Sequence, residues 1–599
     1  MATASVRTII HGLMAGACLV ALAACDEKPT KARVLKPADL PAEAVEFFKD
    51  HGNGPFLVED APVWQYMNVN GGIPNTIVIE GDTGLIIVDT TLSRTDGDAT
   101  LELIRQKSDK PIVGVIYTHH HIDHTGGAGA FVSREDAASG KVMVISADDL
   151  PEELLDENAV TGPIMGLRAA YMYGVLLDPE TDGKGYKVGL GGNIIPGPSA
   201  FIEPNHLIGD REDLTLDGVR MHIFRTGGEA ASHIAVYLPD YGVMLSGDEI
   251  QGPTFPNLHS LRGTKPRDAQ KWINAIDRMR AYHPRVLVPS HGPIVSGEAE
   301  VEKLLVTYRD AIQWTHDQAV RLINKGYTQE ELAEAMPALP EHLTMIPWTL
   351  ELYGTVKHSV RSFYTSYISW FDGDAATLDP TPRVEAARRT VALMGGRDKV
   401  FAEAKRVFDG GDPQWSAELT TLLVRINRED REARHLKAEA LRQIGENTLN
   451  TNWRGFYLVG ARELDGLVDS VALLEAGRAR FNTDGLPSRR LLELMRYRLS
   501  PEAAADKHVK VGYVFPDRDE QFTIELRNQI LDIRTGLEDG LNATLTVDRS
   551  TYDQIVKGET GFVEELASGN VAIDGSKLDM LAFLKCFDTS MVAIPIAAR

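Results

Sequence analysis

Six consecutive positions, His119-His120-His121-Ile122-Asp123-His124, carry five ionisable side chains, and Thr125-Gly126-Gly127 follows them. The cluster comes directly after the apolar run 112–117, which reads as a strand. His119 and His121 are two apart, so on an extended backbone they point the same way. Two imidazoles so placed can grip one metal ion. Asp123 and His124 come where the chain must turn, and they can face a second ion. Neutral imidazole and carboxylate are the ligands that zinc accepts outside thiolate sites. His120 is expected to face the groups that support these ligands. Two divalent ions would bring water toward deprotonation near neutral pH and offset charge on the group attacked. The cluster by itself therefore points to a dinuclear metallohydrolase.

The surrounding elements must aim these side chains. Thr76–Glu80 and residues 85–89 read as two strands joined by a turn at Gly81-Asp82-Thr83-Gly84. A leucine-rich helix over about residues 96–106 leads to the strand that delivers the cluster. Residues 221–225, Ile234–Leu238, 243–248 and 286–291 read as further strands, several ending on a polar residue able to ligate. After Ser296-Gly297-Glu298 the period becomes helical, with Val301, Leu304, Leu305, Tyr308 and Ile312 on one face. Glu298 and Glu300 suit the start of that helix. Amphipathic segments recur over 383–394, 398–408 and 415–425, with Gly395-Gly396 and Gly410-Gly411 between them. They are similar to tetratricopeptide-like pairs but show no strict repeat. Towards the end alternation returns. Phe522, Ile524 and Leu526 point one way, as do Leu541, Ala543, Leu545 and Val547. Arg527-Asn528-Gln529 and residues 536–540 turn the chain, and helices over 552–557 and 577–583 complete an α+β pattern.

At 599 residues the chain is too long for one core, and several domains are expected. A formal net charge of -23 argues against a nucleic-acid partner. An anionic substrate would have to be collected by local positive charge, from metal or arginine. Arg7 and the small apolar run 13–24 read as a targeting segment, too short to be retained as a spanning helix. It ends in Leu22-Ala23-Ala24-Cys25, which resembles the lipobox of bacterial lipoproteins. That resemblance implies a lipid on Cys25, which would anchor the chain at the periplasmic side of a bacterial membrane; Asp26 would favour the inner one. The alternative is an ordinary cleaved signal with a chance cysteine. With Cys18 removed and Cys25 acylated, Cys586 is left without a bridging partner, so any metal must use histidine and carboxylate.

His119, His121, Asp123 and His124, then Gly247-Asp248 and Ser290-His291-Gly292, occur in the order that resembles the metallo-β-lactamase superfamily. Within it the chain resembles the alkyl sulfatases over nearly all of its mature length. The residues that carry this are Thr226-Gly227-Gly228-Glu229-Ala230, Asn257-Leu258-His259-Ser260-Leu261-Arg262-Gly263 with Arg267-Asp268, Tyr171-Met172-Tyr173-Gly174 and Gly189-Leu190-Gly191. The resemblance implies a signal peptide over 1–25 and a catalytic domain of αββα metallo-β-lactamase fold over 26–300. An all-α helical dimerisation domain over 301–480 and an α+β sterol carrier protein-like domain over 481–599 would follow.

The same resemblance implies two zinc ions. His119, His121 and Glu229 would hold the first, Asp123, His124 and His291 the second, with Asp248 as the bridge. Relatives usually bridge with glutamate, so Glu249 is an alternative, and His233 is an alternative ligand. Arg262 would be catalytic and grip the sulfate, its planar fork pairing two oxygens at once. Asn257 and Tyr173 would line that pocket. His358 takes the place of a histidine proposed as general acid, with a pKa expected near the working range. Trp370 stands where relatives often have a tyrosine facing the sulfate. Trp453-Arg454-Gly455-Phe456-Tyr457-Leu458 matches part of the dimerisation region.

The implied activity is hydrolysis of a linear primary or secondary alkyl sulfate to alcohol and inorganic sulfate, by a homodimer, with C–O and S–O cleavage both open. The last domain would either offer an apolar tunnel for alkyl chains or be purely structural. The rivals are another hydrolase of the same fold, such as a phosphodiesterase or lactamase, and a lipid-binding lipoprotein with a vestigial metal site. Glu229 in place of histidine, with the two added domains, argues against the first. The full ligand set argues against the second.

Overall fold

The computed structural model describes residues 31–40, 52–178, 182, 189–190, 192–195, 197–344, 347–470, 472–473, 486–588 and 595–599. The leader with Cys18 and Cys25 lies outside the described residues. A seven-stranded sheet takes Phe56–Leu57, Val63–Tyr66, Thr76–Glu80, Leu85–Val88, Ile112–Ile116, Met143–Ala147 and His206–Ile208 in chain order. From Leu85–Val88 onward its strands are parallel. A six-stranded sheet has the order Val295–Ser296, Val286–Pro289, Val243–Gly247, Ile234–Leu238, Val219–Arg225 and Arg211–Leu216. In it Val243–Gly247 runs parallel to Val286–Pro289.

Alternation along each strand divides its side chains between two cores. Ile77, Ile79, Ile86, Val88 and Ile116 pack between the sheets against Ile223, Val236, Leu245 and Val288. Their neighbours Val78, Leu85, Ile87 and Val115 face the other way, onto Ile104 of the helix Arg94–Lys107. On the far side Phe224, Ala235, Met244 and Leu287 lie under Trp272 and Ile276 of the helix Ala269–Arg280. With both sheet faces covered, the strands read as nearly unbroken apolar runs. Each fully buried Val, Leu or Ile contributes about 1.5–3 kcal/mol. This is the αββα sandwich expected from the sequence.

The helical part differs from the boundary expected at residue 300. Helix Glu298–Ile323 packs Val301, Leu304, Tyr308 and Ile312 into the same core as Trp272, and helix Val356–Ile368 adds Val356, Val360 and Phe363. These helices thicken the outer layer of the sandwich, because their apolar faces have the second sheet's helix as a partner. A separate helical core starts later, from Arg383–Leu393, Arg397–Asp409, Pro413–Ile426, Arg431–Glu446 and Thr451–Leu464. The last domain is a five-stranded sheet in the order Ile530–Thr535, Glu520–Arg527, Val509–Phe515, Ala543–Val547, Val571–Gly575. Met580 and Phe583 of the helix Lys577–Leu584 close its core, in which Cys586 is buried and free. Among the described residues no helix is long and apolar enough to cross a membrane.

Candidate metal centre

The parallel strands Leu85–Val88 and Ile112–Ile116 deliver Asp89 and the His cluster, and Val243–Gly247 and Val286–Pro289 deliver Asp248 and His291. Thr118 to His120 form a bend, and His121, with extended backbone, caps the short helix Ile122–Thr125, so the continuous strand expected to carry both His119 and His121 is not what the structure holds. The rings nonetheless converge, through unlike nitrogens: His119 Nε2 lies 2.7 Å from His121 Nδ1. The bend is what turns Asp123 and His124 toward the same edge.

Potential ligand atoms among the described residues fall into three groups, one of them His120, His121 and Glu157, which shares His121 with the first of the other two. His119, His121, Glu229 and Asp248 offer atoms all within 4.8 Å of one another, and Asp123, His124 and His291 do the same. Asp248 also reaches the second group, its Oδ1 standing 3.3 Å from His291 Nε2 and 3.6 Å from His124 Nε2. It thus stands within reach of both of these groups. His124 Nε2, His291 Nε2, Asp248 Oδ1 and Glu229 Oε2 are buried without a hydrogen-bond partner. Leaving a buried polar atom unpaired costs about 1–3 kcal/mol, more for a charged group. Cations between these atoms would remove that cost, so the donor set fits a metal centre.

The supporting bonds fix which nitrogen each ring presents. His124 Nδ1–H donates to Asp89 Oδ2 at 2.8 Å, and His291 Nδ1–H donates to the Ile73 carbonyl at 2.9 Å. Thr118 gives its hydroxyl proton to Asp89 Oδ2, so its oxygen accepts from His119 Nδ1–H at 3.0 Å. All three rings therefore turn Nε2 lone pairs inward. Asp89 also accepts from the Thr118 backbone N–H and the Ser290 hydroxyl, and it sits at φ +59°, a conformation costly for a residue with a Cβ. Burial disfavours charge on all the ligand imidazoles. It holds His119 and His121 well below the usual histidine range, whereas the carboxylates around His124 and His291 overcome it, taking His291 up to about 10. The second group draws positive charge.

Two sequence alternatives meet a geometric obstacle. His233 accepts the Asp248 backbone N–H on Nε2 at 2.9 Å and turns Nδ1 to the Thr226 hydroxyl at 2.8 Å, which leaves no lone pair for a metal. Glu249 points away from the cluster, accepting the backbone N–H groups of Gly228 and Glu229. Gly247, at φ +51°, is required here, since a Cβ would stand 2.5 Å from the His233 ring. His120 hydrogen-bonds Ser232 Oγ through Nδ1 at 2.7 Å and faces Glu157 with Nε2 at 3.3 Å.

The proposed substrate residues gather beside this centre. Arg262 pairs with Glu157 Oε1 at 2.8 Å and feels the fields of Tyr173 and Tyr353. Arg168 holds the loop by donating to the Leu261 and Arg262 carbonyls. The Tyr173 hydroxyl lies 2.7 Å from that of Tyr353. His358 Nε2 lies 3.2 Å from Asn257 Oδ1. Two expectations are corrected. Burial pushes the His358 pKa down to about 3, away from the working range. Trp370 is 66% exposed, past the end of the helix that carries His358, and the buried phenol by Tyr173 is Tyr353.

Residues 69–291 match the profile of the metallo-beta-lactamase superfamily, 328–466 that of alkyl sulfatase dimerisation, and 482–596 that of the alkyl sulfatase C-terminal domain. A linear primary-alkylsulfatase from a Pseudomonas species is 41% identical over 530 residues, 87% of this chain and 100% of the relative. The chain belongs to the alkylsulfatase family. An (R)-specific secondary-alkylsulfatase of Pseudomonas is 33% identical, covering 86% of this chain and 78% of its own. The solved structure of the inverting sec-alkylsulfatase Pisa1 from Pseudomonas superposes with a TM-score of 0.82 at 28% identity, over 95% of this chain and 93% of that one.

Three groups in this alkylsulfatase site escaped the sequence reading. Arg267, 6% exposed, ion-pairs with Glu229 and donates to the Asn257 carbonyl. Gln251 Nε2 donates to Glu229 Oε1 at 3.1 Å while its Oε1 accepts the Asn257 N–H at 2.8 Å. Glu157 joins His120, His121 and Arg262. Arg267 had a signal, as a second arginine behind Leu261-Arg262-Gly263; Glu157 and Gln251 had none.

Proposed function

We propose that this protein is a dizinc hydrolase of alkyl sulfate esters, yielding alcohol and inorganic sulfate. The observation that carries the reading is the set of partnerless buried atoms of His124, His291, Asp248 and Glu229, joined to Arg262 through His121 and Glu157. His119, His121 and Glu229 would hold one ion, Asp123, His124 and His291 the other, and Asp248 both. Such ions supply an activated water near neutral pH and offset negative charge. Arg262 binds the sulfate with the part of its fork that Glu157 leaves free, and Glu157 keeps that arginine aimed. Tyr173 and Tyr353 wall the pocket with linked hydroxyls. The match to a dimerisation family supports a homodimer, and the segment ending at Cys25 supports export as a lipoprotein.

Sulfate released from dodecyl sulfate and from a secondary alkyl sulfate, with and without chelator, tests this directly. Release should stop with chelator, return with zinc, and accompany two metal ions per chain by elemental analysis. Chelator-resistant release, or none from either ester, would sink the reading. Arg262→Ala should raise KM by about ten- to a hundredfold, the worth of a charge-assisted hydrogen bond. An unchanged KM would remove Arg262 from the sulfate pocket.

A further inference from the structure

We propose that Trp453, His358 and Asn257 form a one-way hydrogen-bond relay that fixes the Asn257 amide with its nitrogen free for the sulfate ester, which makes Trp453 and His358 positioning residues. The relay rests on the alkyl sulfate reading for its ligand, but not for its direction. Direction comes from the indole, which is a donor only. Trp453 Nε1–H donates to His358 Nδ1 at 3.1 Å, so that nitrogen carries a lone pair. A neutral imidazole has one ring proton, which must then sit on Nε2. Nε2–H therefore donates to the atom 3.2 Å away, Asn257 Oδ1.

The consequence falls on the other end of the amide. With Oδ1 taken, Asn257 is left with Nδ2, which is buried and has no protein partner. Its backbone is held on both sides, the N–H by Gln251 Oε1 and the carbonyl by Arg267. The side-chain flip is thus the freedom that remains, and the relay decides it. A flipped amide would set N–H against N–H at His358. Sulfate oxygens accept hydrogen bonds and do not donate, so an unpaired donor beside Glu229's own partner Gln251 suits that ligand. Burial, with the positive charges of Arg361 and Arg267, keeps His358 neutral at working pH.

The helical core supplies the indole deliberately. Helix Thr451–Leu464 begins at Asn450, whose Nδ2 donates to the Tyr353 carbonyl at 3.0 Å, and Asn452 Nδ2 donates to the same carbonyl at 2.9 Å. These bonds staple the helix start to the segment that carries Tyr353, and Trp453 then lies against His358. A residue far along the chain thereby sets the tautomer of a histidine at the sandwich edge.

Nitrogen-15 spectra of full-length, histidine-labelled protein at pH 7 test the relay, with the His358 signal assigned from its loss in His358→Gln. The expected pattern is the neutral Nε2–H tautomer, and Trp453→Phe should convert it to a mixture of tautomers while lowering kcat on dodecyl sulfate about tenfold. His358→Gln keeps an N–H for Asn257 and should stay within about tenfold of the parent, with His358→Ala lower. An imidazolium or Nδ1–H tautomer in the parent overturns the proposal. So does a loss beyond about a hundredfold in His358→Gln, the size expected of a general acid. Should Trp453→Phe fail to fold, the parent spectrum and His358→Gln still decide. If the parent shows the tautomer but releases no sulfate, the substrate reading fails by itself.

Discussion

Asp248→Asn is expected to lower sulfate release by more than about 100-fold and to leave the purified chain short of metal. Removing a group that only orients a metal ligand costs about 10–100-fold, and Asp248 touches both ligand groups itself. The substitution keeps shape and removes the charge that His124 and His291 face, so packing loss is not the cause. Glu249→Gln is the matched control. That side chain accepts from the Gly228 and Glu229 backbone N–H groups, and an amide oxygen can do the same. It should keep activity within about tenfold, the worth of a weakened hydrogen bond. Metal content by elemental analysis and initial rates on dodecyl sulfate check the pair. The reverse ranking would assign the bridge to Glu249.

The metal cluster was legible because its chemistry is compressed into a few residues at a strand end. Asp248 and His291 were also readable, since each follows an apolar run that had to be a strand buried on both faces. What pattern could not supply was the bend at Thr118–His120, just before His121. Spacing alone predicts that the two rings point alike, and the structure brings them together by a different backbone with different nitrogens. Gln251 and Glu157 were hidden for another reason. Their roles are set by partners far away in sequence, and no local period marks a side chain whose business is to hold another one.

The helices after residue 300 show the same division. Their existence follows from apolar spacing, yet which core they join does not, because an amphipathic face fits a sheet's helix as well as it fits another bundle. Val301 and Val360 share a core with Trp272, while Val400 and Leu423 share one with Leu464. In the last domain two strands were caught by alternation. Val509–Phe515 was not, since it lies at the sheet centre with only Lys510 and Val514 half-buried and so shows little contrast. His358 makes the same point for chemistry: the resemblance put a proton donor there with a pKa near the working range, and burial beside Arg361 and Arg267 lowers that pKa, which no motif shows.

Arg267→Ala is expected to destabilise the chelated protein by about 3–5 kcal/mol, the cost of stranding one partner of a buried ion pair. Arg267 and Glu229 are 6% and 1% exposed at their side chains, so water cannot replace the guanidinium. The same arginine holds the Asn257 carbonyl, and a lysine could not span both acceptors as a fork. Metal should shrink the deficit, because a cation beside Glu229 Oε2 offsets the same negative charge. The urea midpoints of parent and variant should therefore lie further apart with chelator than without it. Acidity should shrink it too. Burial already pushes the Glu229 carboxyl up against the lowering effect of Arg267, and removing the arginine lets it rise further. A carboxyl raised in the folded state costs stability progressively as pH climbs from its unfolded value to its folded one. The variant should lose least near pH 5 and most near pH 9, and a deficit independent of both pH and chelator would assign the loss to packing on Trp272, over which the guanidinium lies at 5.8 Å.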